Sequence, residues 1–182
     1  MTYSDLYQNI ERAITQMESS QQKAGELQVF VNDAQTKLYQ LRAQAEAAMH
    51  SDDESTKSRL QYLRSEIVST NEELQRYQQM LAQEQAKMQK SVQYLVVSRS
   101  ELNKVVSQLE AKMAGFEDAM EKLDLAEGQF AHIARAQRDK LDVSYQQCTQ
   151  SKEQATALIE RINEALGSAS GTDEPQKVLR RW

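Results

Sequence analysis

Residues 60–130, LQYLRSEIVSTNEELQRYQQMLAQEQAKMQKSVQYLVVSRSELNKVVSQLEAKMAGFEDAMEKLDLAEGQF, decide the fold. Every seventh residue is large and apolar: Leu60, Ile67, Leu74, Leu81, Met88, Leu95, Leu102, Leu109, Phe116, Leu123 and Phe130. A second apolar set, Leu63, Tyr77, Val92, Val106, Met113, Met120 and Ile133, falls between them. Alternating steps of three and four place both sets along one side of an α-helix, the side that packs against another helix in a coiled coil. The fold class is therefore all-α: a long antiparallel helical hairpin or coiled coil, with an elongated three-helix bundle as the alternative.

Composition agrees. The chain has 182 residues with 1 Pro and 5 Gly, and four of those glycines lie at or beyond Gly115. Helix interiors exclude both residue types, whereas sheets and their turns need them. A hydrophobic content of 40% and a mean hydropathy of -0.73 suit thin helical rods better than a thick core. The formal charge of -5 comes from 27 acidic and 22 basic residues with the signs interspersed. No cluster of Lys and Arg precedes the last residues, so a nucleic-acid partner is not expected and a membrane partner is disfavoured. The N-terminus lacks a basic region followed by an apolar run, and the longest apolar cluster, near Tyr94–Val97, is too short to span a bilayer. The cytoplasm is the default compartment, with export lacking a cleaved signal left open. Cys148 is the only cysteine, which rules out an internal disulfide.

Upstream of the deciding stretch, a helix is predicted over about 4–49. Its seam is Leu6, Ile10, Ala13, Met17, Ser20, Ala24, Leu27, Val31, Ala34, Leu38, Leu41, Ala45 and Ala48, with Gly25 beside it. His50-Ser-Asp-Asp-Glu-Ser55 interrupts the pattern. Ser51 and Glu54 have the spacing of a capping box, so a turn is predicted over about 50–54 with a second helix after it. A short connection favours an antiparallel neighbour.

The second helical segment is predicted over about 55–166, with breaks conceivable near Ser98 or Gly128. Ser98 and Glu101 again match a capping box. Yet Leu95 and Leu102 keep the register of Leu60 and Phe130, which a loop would preserve by chance only roughly once in seven tries. A helix continuous through Ser98 is favoured. Past Phe130 the apolar side drifts to Leu141, Tyr145, Cys148, Ala155, Ile159, Ile162 and Leu166. The helical domain, 1–166, is predicted to end at Gly167 as a C-terminal cap, with 167–182 a flexible tail.

If the second helix is continuous, the first covers it only to about Val97 by counting equal rises. Leu95, Leu102, Leu109, Met113, Phe116, Met120, Leu123 and Phe130 would then form an uncovered interaction seam, which water disfavours. A homo-oligomer, dimer or larger, or a second helical protein is the predicted partner. Leu179, Arg180, Arg181 and Trp182 end the tail with a basic, Trp-bearing segment suited to docking. A disordered terminus explains the same residues equally well.

Chemistry-bearing patterns are sparse. His50 and His132 have no nucleophile or Glu-x-x-His partner at a recognisable spacing, and no glycine-rich phosphate loop occurs. Asp52, Asp53 and Glu54 lack the ligand spacing of a calcium loop and suit a helix N-terminus. Glu160 and Glu164 read as a solvated pair. Arg99 falls on the seam, where it would set register or, the simpler expectation, reach out to solvent. No catalytic, cofactor or metal site is expected. The function predicted first is a non-enzymatic coiled-coil scaffold, spacer or adaptor. A helical component, chaperone or substrate of a secretion or phage-assembly apparatus ranks second, and a membrane-shaping helical module third.

Overall fold

A computed structural model describes residues 3–49, 54–125 and 131–170. Three helices account for them: α1 (Tyr3–Met49), α2 (Glu54–Asp124) and α3 (Ala131–Ser170). No strand occurs among the described residues. At ~1.5 Å per residue the 71-residue α2 is about 105 Å long. It runs through Ser98 without interruption, because the residues around Ser98 keep helical phase and hold no Gly or Pro.

The segment predicted over about 55–166, with breaks conceivable near Ser98 or Gly128, is two helices. α2 ends at Asp124 and α3 begins at Ala131, so the chain changes direction between these residues rather than at Ser98. The helix also passes the predicted cap at Gly167 and continues to Ser170. Gly167 keeps a right-handed helical backbone, without the positive φ of a capping glycine. The predicted turn at 50–53, Phe130 and the tail from 171 onward lie outside the described residues.

The chain divides into two compact units. The two-helix unit spans Thr15–Ser91 and pairs the greater part of α1 with the first half of α2. One cluster of its core is Val31, Ala34, Leu38 and Leu74, with Ile67, Tyr77 and Leu81 packed against it; Met17, Leu27, Ala45 and Leu63 are buried in the same unit. Lys37 Nζ lies 3.6 Å from Glu66, and Phe30 stacks on Tyr77 with ring centroids 5.4 Å apart. The partner number falls on α2 as it rises on α1, so the helices are antiparallel.

The three-helix unit combines the start of α1 with the second half of α2 and with α3. Four side-chain bridges join α2 to α3: Arg99 to Asn163, Glu110 to Lys152, Glu117 to Tyr145 and Asp124 to Arg138, at 2.9, 2.7, 2.7 and 2.7 Å. Between successive bridges both helices advance by eleven, seven and seven residues, about three and two helical turns at a time. α3 therefore lies antiparallel to α2 in constant register. It runs parallel to α1: Tyr3 Oη donates to the Gln154 carbonyl at 2.9 Å, and Arg161 Nε to Glu11 Oε1 at 3.4 Å. Ile10, Ile14, Leu95, Leu158 and Ile162 are fully buried in this unit.

Candidate interaction surfaces

The heptad supplies a coordinate for every surface residue. In the two-helix unit, position a holds Ala24, Val31 and Leu38 on α1 and Ile67, Leu74 and Leu81 on α2. Position d holds Leu27 and Ala34 on α1 and Tyr77 on α2. Position e follows d, and position b follows a. In the three-helix unit the e column is apolar but for Arg99: Ile14 on α1, then Val92, Val106, Met113 and Met120 on α2. An apolar column beside the seam widens the sticky side of a helix enough to take a second neighbour. α3 is that neighbour.

This overturns the expectation of an uncovered seam. Leu95 and Leu102 are buried, and Leu109, Met113, Phe116, Met120 and Leu123 are half-buried. The return of the chain after Asp124 brings α3 alongside them, so a second copy is not required to cover this stretch. α3 contributes Ala134, Ala155, Leu158, Ile162 and Ala165 as its buried residues, with Leu141, Tyr145, Cys148 and Ile159 half-buried.

Arg99 is not on the seam either. Ser98 is the buried residue, and Arg99 occupies the e column beside it, half-buried, with Nη1 donating to Asn163 Oδ1. Sequence reasoning passed over Ser98 because its hydroxyl reads as polar. The same holds for Thr70, Glu84 and Ser91, which fill d positions between Leu63, Tyr77 and Leu95. Spacing held the missing signal: Tyr77 to Val92 is fifteen residues, one more than two heptads. That extra residue is the shift from column d to column e.

The d-position Glu84 is a half-buried carboxylate of the two-helix unit, its side chain 13% exposed. Lys87 Nζ donates to its Oε1 at 2.7 Å. This bond, then the Ser20 hydroxyl and the charges of Lys87 and Lys23, holds the carboxyl below its ordinary range, against partial desolvation. A polar layer in an apolar seam costs stability and fixes which residues may face each other. Beside it a shallow groove of about 350 Å³ is lined by Lys23, Leu27, Phe30, Met80 and Glu84. In the three-helix unit a second groove, of about 340 Å³, is lined by Met113, Thr149, Lys152, Thr156 and Glu160. Tyr145 donates to Glu117, which raises the phenol above its usual range; burial, then the nearby Tyr7, does the same for Tyr3.

Among the described residues no group of three or more His, Cys, Asp or Glu side chains is placed to hold a metal ion. Glu160 and Glu164 sit on α3, where Arg161 Nη1 lies 3.9 Å from Glu164. His132 is in the first turn of α3, Cys148 is half-buried in the same helix, and His50, Asp52 and Asp53 lie outside the described residues. Also outside them are Phe130 and the tail residues Leu179, Arg180, Arg181 and Trp182. No helix of the described residues is long and apolar enough to cross a membrane. No family description, no curated protein and no solved structure shows significant similarity to this chain.

Proposed function

We propose that this chain is a non-enzymatic coiled-coil interaction protein, a scaffold or spacer that works by self-association. The observation that carries the reading is the two-helix unit. Its core is the narrow seam between two helices, yet Phe30, Tyr39, Tyr62, Val68 and Met80 stand exposed around it. Two helices enclose no interior, so large apolar groups left on their outside favour further helices as neighbours. The 71-residue α2 adds the length of continuous helix that a spacer needs.

Sedimentation equilibrium on the full chain, over a roughly hundredfold concentration range, tests this, because association follows mass action. A mass that climbs to a dimer or beyond is the expected result. A strict monomer throughout overturns the reading.

A further inference from the structure

The middle of the two-helix unit has a stretch of surface without charge, bounded by Glu18, Arg42, Glu46 and Arg64 in the same b and e columns. Between residues 21–39 of α1 and 68–89 of α2 there are nine charged side chains, and every one lies at c, d, f or g; Lys23, Glu26, Lys37, Glu73 and Lys87 are among them. The e and b columns of the same stretches hold none. The e column is filled instead by amides at strict seven-residue intervals: Gln21, Gln28 and Gln35 on α1, Asn71, Gln78 and Gln85 on α2. Coiled coils ordinarily place Glu and Lys at e. The g flank of this unit does carry such a pair, with Lys37 facing Glu66.

Gly25 lies in the b column of this face. An interior helical glycine costs stability relative to alanine. Nothing within the chain demands it here, since a Cβ at Gly25 would meet no atom within 4 Å. Gly115 and Gly167 face open space likewise; at Gly25, beside the amide column, the missing side chain leaves room for another backbone to come close.

We infer that this charge-free face is the surface by which the two-helix unit docks on the same face of a second copy. An amide is both donor and acceptor, so a column of amides is complementary to itself, which a column of lysines or glutamates is not. Gln28 Nε2 already donates to Asn32 Oδ1 at 3.0 Å, and each amide keeps further capacity after one bond. Over this stretch the like charges that would oppose a copy are absent, as are the cations that a nucleic acid or an anionic membrane would require; Arg42 and Arg64 lie beyond its end. The inference deepens the proposed self-association by naming as its surface the side on which Tyr39 and Val68 stand exposed, at b positions.

Gln28→Glu with Gln78→Glu puts two like charges on the face; Gln40→Glu with Gln83→Glu makes the same charge change at c positions. Sedimentation equilibrium on the full chain should show association weakened at least roughly tenfold by the first pair and unchanged by the second, since like charges brought face to face repel. Gly25→Leu should weaken it too. If the first pair and Gly25→Leu both associate as the parent chain does, the copies meet elsewhere: the inference fails and the proposed function stands. If the parent chain is a monomer throughout, both fail. Should a variant lose helicity, Gln28→Cys in a Cys148→Ser chain decides between the surfaces. A disulfide-linked dimer forming faster than from Gln40→Cys supports the charge-free face; equal or slower formation overturns it.

Discussion

Thr70 is 1% exposed, and its Oγ1 has no hydrogen-bond partner among the described residues. Other helical hydroxyls of the chain, those of Thr36, Thr149 and Ser168, donate to the carbonyl four residues earlier. A buried hydroxyl without a partner loses its hydration and gains nothing in return. Thr70→Val keeps the shape and removes the hydroxyl, so urea unfolding should show a gain of about 1 kcal/mol. Glu84 behaves differently because its charge is satisfied. Its carboxyl titrates lower when folded than when unfolded, so it adds stability above the unfolded value, and this is lost as pH falls through the folded one. Glu84→Gln should therefore flatten the acid side of the stability profile, measured by thermal melts across the carboxylate range. A variant melting in parallel with the parent at every pH would show that Glu84 is not coupled to folding.

At the scale of the helix, Gly115 and Ile162 mark opposite situations. Gly115 is inside α2, and a Cβ there would meet nothing within 4 Å. Gly115→Ala should raise stability by roughly 0.5–1 kcal/mol through helix propensity alone. Ile162 is fully buried in the three-helix unit, and Ile162→Ala should cost about 3 kcal/mol in transfer and cavity terms. Both are read from denaturant midpoints. Much of this scale was legible beforehand. Each of the thirteen seam residues predicted for α1 is buried or half-buried, because period seven is a direct consequence of helical geometry. What escaped was the polar part of the seam. Thr70, Ser91 and Ser98 are buried because a facing helix covers their short side chains, and neither residue type nor hydropathy announces that. Ile14 escaped as well, since it belongs to the e column that only a third helix makes use of.

For the whole chain, the sequence pattern indicated long helices and their hairpin, and left open where the chain folds back. The pull of constant register past Ser98 was a sound guide, and α2 obeys it. Applied beyond Phe130 the same guide ran out: register belongs to a helix, and a chain reversal resets it. The charge-free face was also present in the residues, yet invisible until the seam letters were known, because columns e and b can be told from c and g only after a and d are fixed. The two units should differ in local stability. Hydrogen exchange should find the amides of Ile10–Ile14, Leu95 and Leu158–Ile162 slowest, and those around Val31 and Leu74 faster, since two helices bury less per residue than three. Equal protection in the two sets would contradict that ranking.

The four bridges between α2 and α3 restrict how this protein can change length. One residue added to α2 between Arg99 and Asp124 rotates all that follows by about 100° about the helix axis, which swings each later rung out of reach of its counterpart. Growth or shortening must come in steps close to whole turns, such as the seven- and eleven-residue intervals between the rungs, matched on the two helices. A chain trimmed by one such step from each should rebuild its rungs, whereas one trimmed from a single helix should lose them.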